Sequence, residues 1–167
     1  MIDSKSGYSG AGRGVHKKYK NSNLYESFSV YGISKHKHYP EILQELKKET
    51  SKKVELSFTP HLTPMFRGIM SSIYIDLKKN SNIQKVINCL KKFYKKSHFI
   101  KIMKKNTILS TNNVINTNNC IISICQTSNE NKIIILSVID NLIKGGAGQA
   151  VQNLNIYKDY SYNEGLK

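Results

Sequence analysis

The stretch Cys120-Ile-Ile-Ser-Ile-Cys125, followed after a polar turn by Lys132-Ile-Ile-Ile-Leu-Ser-Val138, decides the fold class. Both segments are short runs rich in isoleucine, and the Asn, Thr and Ser residues that join them favour turns, so two strands are predicted here. Residues 99–103 and 69–77 have the same character and predict two further strands. These four segments are expected to form most of one sheet.

Three helices are predicted around these strands. Apolar residues recur at helical spacing from an N-cap at Ser81 to about Tyr94, with lysines on the opposite side. The segment His36-Lys-His-Tyr-Pro-Glu41 opens a helix that ends near Thr50 and buries a stripe formed by Ile42, Leu43 and Leu46. Asp140 is expected to cap a last helix over 141–156. Strands and helices in this order predict an α+β fold, with a mixed, largely antiparallel sheet covered by helices.

The remaining segments are irregular or short. Residues 5–14 contain four glycines and predict a glycine-rich loop, which could face an anion or a cofactor or be a flexible arm. Residues 16–24 predict a polar connection. Short strands are expected at 28–33 and 54–58, and the two prolines of residues 59–68 predict an irregular loop.

The composition suggests several functions and excludes others. The 167 residues carry 26 Lys+Arg against 11 Asp+Glu, a net charge of +15 that suggests nucleic acid. Arginine occurs only at Arg13 and Arg67, however, and abundant Lys, Asn and Ile are what A/T-rich codons produce, so a nucleic-acid partner is not expected. The first residues have no apolar signal region, so no export is expected, and the apolar runs are too short to predict a membrane span. The spacing of the three cysteines predicts neither a disulfide framework nor a zinc site.

Histidines and an arginine are the best candidates for chemistry. His36 and His38 flank a helix start, where the dipole favours the neutral imidazole that proton transfer near neutral pH requires; the alternative is two surface histidines. Arg67 could clamp a carboxylate or phosphate bidentately, through two N–H groups of its guanidinium, or form a structural salt bridge. His61, between two prolines, is a further candidate. The three cysteines are typical of small buried residues, and no metal site is predicted.

Four blocks in order resemble the N-acetyl-gamma-glutamyl-phosphate reductase family, which is related to aspartate-semialdehyde dehydrogenase. They are Asp3-Ser-Lys-Ser-Gly-Tyr-Ser-Gly-Ala-Gly-Arg13, His36-Lys-His-Tyr-Pro-Glu-Ile42, Phe58-Thr-Pro-His-Leu-Thr-Pro-Met-Phe-Arg-Gly-Ile69 and Asp140-Asn-Leu-Ile-Lys-Gly-Gly-Ala-Gly-Gln-Ala-Val-Gln-Asn153. The resemblance implies the C-terminal domain of the glyceraldehyde-3-phosphate dehydrogenase type. It also implies NADPH-dependent reduction of an acyl phosphate, N-acetyl-glutamyl 5-phosphate, to an aldehyde in arginine biosynthesis.

The resemblance covers the second half of that enzyme. The NADP-binding Rossmann domain and the segment carrying the cysteine nucleophile have no counterpart in this sequence, so we expect the chain to be inactive alone. It is expected to work with a separate N-terminal half or to be a gene remnant. Residues 1–167 are expected to form one catalytic and dimerisation domain, cytoplasmic and homo-oligomeric through its sheet. The helix over 141–156 would pack toward the NADP-binding domain. The alternative is a basic nucleic-acid-binding module on the same fold.

The resemblance also implies roles for individual residues. His36 is the expected acid/base, with His61 as the outside candidate, and the substrate N-acetyl-glutamyl phosphate is the expected partner. The remaining expected roles are substrate binding by His38, Glu41, Arg13 and Arg67, and NADP binding by Ser9, Gly10, Gly12 and Asn141.

Overall fold

The computed structural model describes residues 1–12, 14 and 26–167. In chain order the strands are β1 (Ile2–Gly7), β2 (Ser29–Val30), β3 (Phe58–Thr63), β4 (Ile69–Asp76), β5 (Ile100–Ile102), β6 (Cys120–Gln126) and β7 (Lys132–Ile139). The α-helices are α1 (His38–Lys48), α2 (Ile83–Phe93) and α3 (Gly148–Tyr157). Single-turn 3-10 helices lie at Tyr8–Ala11 and Thr111–Asn113, and a π-helix at Ile143–Ala147 precedes α3.

The strands of the described residues form one sheet in the order β2-β3-β1-β4-β7-β6-β5. The pairs β1/β3 and β5/β6 are parallel, and the other four pairs are antiparallel. The sheet is therefore mixed and largely antiparallel, and helices accompany it, which confirms the predicted fold class. The central pair β4/β7 is eight residues long on each side, so it provides the longest continuous ladder.

The two faces of the sheet are covered differently. On one face Ile83 and Ile87 of α2 pack against Ile124 and Ile133. On the other face, Ile121 and Val138 pack with buried residues of the 103–118 segment. Ile121 and Ile124 are three residues apart in β6, and successive side chains of a strand point to opposite faces, so this strand contributes to both cores.

Local predictions hold best where apolar residues recur along a long segment. Strands β4, β6 and β7 and helix α2 lie within two residues of their expected bounds. The cap of α2 is Asn82 rather than Ser81, since the Asn82 side chain accepts a hydrogen bond from the Lys85 amide at 2.9 Å.

Five predictions are wrong. Residues 5–7 belong to strand β1 rather than to a loop. Residues 59–63 belong to β3 where an irregular loop was expected, and of the strand expected at 54–58 only Phe58 lies in a strand. Proline has no main-chain N–H to donate, and Pro60 is compatible with a strand here because the neighbouring strand β2 has only two residues. Beyond those two residues, the Pro60 carbonyl accepts a hydrogen bond from the Tyr31 amide. The stripe expected to be buried on α1 is not buried. The last helix is interrupted at Gly146, which has non-helical backbone angles.

Candidate functional site

The glycine-rich turn Tyr8–Ala11 is tied to the loop that connects β3 to β4. The main-chain amides of Gly7, Tyr8 and Ser9 donate to the carbonyls of Gly68, Met65 and Phe66 at 2.8, 3.0 and 3.1 Å. A Cβ on Gly7 would lie 2.6 Å from the Phe66 carbonyl oxygen, closer than real Cβ atoms approach. The absence of a side chain at Gly7 therefore permits these three hydrogen bonds, which position Ser9.

Replacing Gly7 by alanine is expected to lower the free energy of unfolding by about 1–3 kcal/mol, because the contacting atoms belong to the backbone and cannot swing aside. Chemical denaturation of both proteins measures this difference. Gly14→Ala is the matched control, since a Cβ at Gly14 meets no atom within 4 Å among residues 1–12 and 26–167. Equal effects of the two substitutions would contradict the close contact.

Asn141 joins this turn to the end of the sheet. Its Oδ1 accepts the Gly68 amide at 2.7 Å, and its Nδ2 donates to Ser9 Oγ at 2.9 Å. A Cβ on Gly10 would lie 3.3 Å from Asn141 Nδ2, so the missing side chain leaves this amide approachable. Ser9, Gly10 and Asn141, which are far apart in sequence, thus form one cluster, and Gly12 ends the turn with φ of +81°.

Arg67 lies in the same loop, and its guanidinium forms an ion pair and a hydrogen bond with other side chains. Its Nε forms an ion pair with Asp140 Oδ2 at 3.2 Å, and its Nη1 donates to Asn116 Oδ1 at 2.5 Å. The Arg67 side chain is 23% exposed and that of Asp140 is 0% exposed. The salt bridge expected as the alternative for Arg67 is therefore present, and the guanidinium is still partly open to solvent.

His36 lies before α1 in a separate cluster. Its Nδ1 accepts the main-chain amide of His38 at 3.2 Å, so the neutral ring carries its proton on Nε2. Its ring contacts those of Tyr31, His38 and Phe58 at centroid distances of 5.4, 5.0 and 5.2 Å. Burial, and then the neighbouring His38 and Lys37, lower the pKa of His36, which Glu41 partly offsets. His36 is consequently neutral at pH 7.

The expected substrate-binding residues lie in different parts of the chain and do not form one cluster among the described residues. His38 and Glu41 are exposed in the first turn of α1, and Arg13 lies outside the described residues. Among the residues that the structure describes, no hydrogen bond or ion pair joins the His36 cluster to the cluster of Asn141.

His61 points away from His36. Phe58, which contacts His36, and His61 are three residues apart in β3, so their side chains lie on opposite faces of the sheet. His61 Nδ1 lies 3.2 Å from Asp3 Oδ1, an atom that Lys5 Nζ approaches at 2.6 Å, and its ring lies 5.0 Å from that of Phe28. His36 and His61 therefore cannot serve the same site on one face of the sheet.

Sequence reasoning missed several partners. Asp140 was expected only as a helix cap and also holds Arg67, while Asn116 was not expected to act at all. Asn118 Nδ2 and Lys144 Nζ both donate to Gln152 Oε1, at 2.9 and 2.7 Å, in a polar network beneath α3. No periodic pattern signals such pairs, because they depend on distant segments meeting.

The cysteines and carboxylates do not suggest further chemistry. Cys89 is exposed on α2, and burial raises the pKa of Cys120, which opposes formation of a nucleophilic thiolate. Within residues 1–12, 14 and 26–167, no group of three or more His, Cys, Asp or Glu side chains could hold a metal ion. None of the helices in that part of the chain has the length and apolar character to cross a membrane.

Comparison with known proteins extends these observations. Residues 1–141 match the model of the semialdehyde dehydrogenase dimerisation domain. The N-acetyl-gamma-glutamyl-phosphate reductase of Desulforamulus reducens is 45% identical over 93% of this chain and 45% of its own length. A probable chloroplastic reductase of the same name from Arabidopsis thaliana is 42% identical over 99% of this chain and 41% of its own. The chain thus spans about half the length of the curated relatives it matches.

Solved structures of low identity share the fold. Aspartate semialdehyde dehydrogenase II of Vibrio cholerae has a TM-score of 0.64 at 17% identity, covering 96% of this chain and 55% of the other. The enzyme of Francisella tularensis has a TM-score of 0.66 at 15% identity, covering 95% and 57%.

Proposed function

The chain belongs to the semialdehyde dehydrogenase dimerisation-domain family, and from that premise we propose that it is the C-terminal half of an N-acetyl-gamma-glutamyl-phosphate reductase. With an N-terminal half it would reduce N-acetyl-glutamyl 5-phosphate to the 5-semialdehyde in arginine biosynthesis. The observation that carries the proposal is identity of 40–45% along 93–100% of this chain to reductases of that name. A cytoplasmic homo-oligomer is the form proposed, since the matched model is a dimerisation domain.

The cluster of Ser9, Gly10 and Asn141 supports a place for the nicotinamide end of NADP. Gly10 leaves a cradle that a Cβ would partly fill, beside the Asn141 amide and Ser6 Oγ, each 3.3 Å from that position. Asn141 Nδ2 uses one hydrogen for Ser9 and retains a second that could reach a carboxamide. NADPH supplies a hydride when bound, and these residues would orient the ring against the substrate.

His36 would move protons at the reacting centre. Its neutral state at pH 7 suits a general base, and its Nδ1 is fixed by the His38 amide, which leaves Nε2 as the atom that exchanges the proton. His38 and Glu41, in the same first helical turn, would bind substrate beside it. The nucleophilic thiol is proposed to come from the N-terminal half, because the described cysteines lie outside both clusters.

The pH profile tests this assignment. A base works only when neutral, so kcat/KM should fall as the pH drops through the pKa of His36. Because that pKa is lowered, the acid limb should have its midpoint below 6.5. Lys37→Gln removes a charge that lowers the pKa and should move the midpoint up, whereas Glu41→Gln should move it down. Shifts of the same sign in both variants would exclude His36 as the titrating group.

Helix α3 supports the position of the N-terminal half. In α3 the polar Gln152 and Asn155 are buried, whereas the apolar Val151, Leu154 and Tyr157 are exposed. A helix on a protein surface in water normally has the opposite arrangement, with its apolar side buried and its polar side exposed. The relatives are about twice as long as this chain, and their additional half is the proposed cover. The helix predicted to pack toward an NADP-binding domain would do so with these side chains.

Mixing experiments test the proposed function. The purified chain and the separately expressed N-terminal half of the Desulforamulus reducens reductase are combined, and NADPH oxidation is measured with N-acetyl-glutamyl 5-phosphate. We expect activity from the mixture and none from either half. Leu154→Asp should weaken assembly in analytical ultracentrifugation, while Ile108→Asp, at another exposed apolar residue, is the matched control. A mixture that assembles and binds NADPH but never reduces the substrate would refute the proposal.

A further inference from the structure

Asp140 connects Arg67 to the framework of the protein. Its Oδ1 accepts the amides of Leu142 and Ile143 at 2.8 and 3.1 Å, and its Oδ2 accepts the Asn116 amide at 2.8 Å. The same Oδ2 lies 3.2 Å from Arg67 Nε. One fully buried carboxylate thus holds three groups in a fixed arrangement: the start of the π-helix, the turn before β6 and the guanidinium of Arg67.

Arg67 is held at two of its three nitrogens. Nε faces Asp140, and Nη1 donates to Asn116, while Nη2 has no hydrogen-bond partner among residues 1–12, 14 and 26–167. The side chain remains 23% exposed. A guanidinium fixed in this way loses little side-chain entropy when it binds an anion. This smaller entropy cost offsets the affinity lost because Asp140 partly neutralises the charge of Arg67.

The loop carrying Arg67 leads directly to the Asn141 cluster. Gly68, the next residue, donates its amide to Asn141 Oδ1, and Asn141 follows Asp140 in the chain. The Asp140–Arg67 pair and the Asn141–Gly68 pair therefore lie side by side, each joining the same two segments. An anion on Arg67 would lie next to the proposed nicotinamide position.

We infer that Asp140 is a positioning residue that aims the open edge of Arg67 at an oxyanion, a carboxylate or phosphate, of the substrate. The inference deepens the proposed function and rests on it only for the identity of the substrate. A purely structural salt bridge would give a different result, because it requires no response of Arg67 to anions.

The chain contains two arginines, so the test is direct. With 15N-labelled arginine, the Nε–H region of a 1H–15N spectrum holds one signal from each, and Arg13→Lys assigns them. The full chain is titrated with inorganic phosphate and, separately, with N-acetyl-L-glutamate, which distinguishes the two oxyanions. We expect a saturable shift of the Arg67 signal with at least one of them.

Two variants test the role of the anchors. Asp140→Asn keeps an oxygen for the Leu142 and Ile143 amides but removes the charge beside Arg67, and should weaken anion binding at least about tenfold. Asn116→Gly removes the acceptor of Nη1 without strain, because Asn116 has φ of +61°, and should weaken it in the same direction. Asp76→Asn, which breaks the exposed ion pair with Lys132, is the matched charge control and should leave binding unchanged.

The possible outcomes separate the two proposals. No shift of Arg67 with either anion, or equal affinity in the wild type and both anchor variants, would overturn the inference even if the mixed halves are active. A shift that both variants weaken supports it even if the mixed halves fail to reduce the acyl phosphate. If Asp140→Asn unfolds, Asn116→Gly decides alone, since it leaves Asp140 and its contacts with Leu142 and Ile143 in place.

Discussion

If His36 is the acid/base that we propose, replacing it by glutamine is expected to lower kcat of the proposed two-half reductase about 100- to 10,000-fold, the usual contribution of such a group. Glutamine is of similar size and polarity but cannot exchange a proton near neutral pH. The ring contacts with Tyr31 and Phe58 would be lost, so KM is measured separately from kcat. A loss confined to kcat identifies proton transfer, whereas a rise in KM alone would assign His36 to substrate binding.

His98→Gln is the matched control for this experiment. His98 is exposed beside β5 and is remote in sequence from the clusters of His36 and Asn141. We expect its substitution to leave kcat and KM at wild-type values. Activity of His36→Gln equal to that of His98→Gln would move the search to His38, which is exposed and two residues away.

Replacing Phe99 by alanine is expected to lower the free energy of unfolding by about 3–5 kcal/mol. Phe99 is 1% exposed, stacks on Tyr162 at a centroid distance of 5.6 Å and lies beneath Lys144 Nζ at 5.7 Å. The ring thus joins β5 to the carboxyl-terminal residues and to the π-helix. Removing it leaves a cavity between three parts of the chain, so urea denaturation should show a large decrease in midpoint.

Phe93→Ala provides the same chemical change at a surface position. Phe93 is 77% exposed at the end of α2, and its substitution should change the free energy of unfolding by less than about 0.5 kcal/mol. Similar losses in the two variants would contradict the packing at Phe99. A large loss for Phe99 alone would show that the carboxyl-terminal residues fold as part of this domain.

The burial of apolar side chains on a helix could be predicted from the sequence, whereas the burial of polar side chains could not. Ile83 and Ile87 stand at helical spacing, so their burial could be predicted, because a helix that packs on a sheet needs a continuous apolar side. The apolar residues of α3 do not mark its buried side. Gln152 and Asn155 are buried, since Gln152 meets Asn118 and Tyr162 and Asn155 donates to the Glu164 carbonyl, whereas Val151 and Leu154 are exposed.

The candidate site was predicted unevenly. Ser9, Gly10 and Asn141 were named together from the resemblance. In the structure Asn141 donates a hydrogen bond to Ser9, and Gly10 lies beside the Asn141 amide. For Arg67, the sequence left a salt bridge and an anion clamp open. Asp140, 73 residues further on, is found as its partner only because β4 pairs with β7 and brings their ends together.

By itself the sequence determined the strands and helices with long apolar patterns, the α+β class and the family, because periodicity and ordered motif blocks are local properties of the chain. The tertiary structure alone decided that His61 faces away from His36, that α3 exposes its apolar side and that Arg67 is fixed by Asp140. These three facts depend on which face of a strand a residue occupies and which distant segment lies beside it. Both are set by strand pairing and packing of the whole sheet, which no single segment encodes.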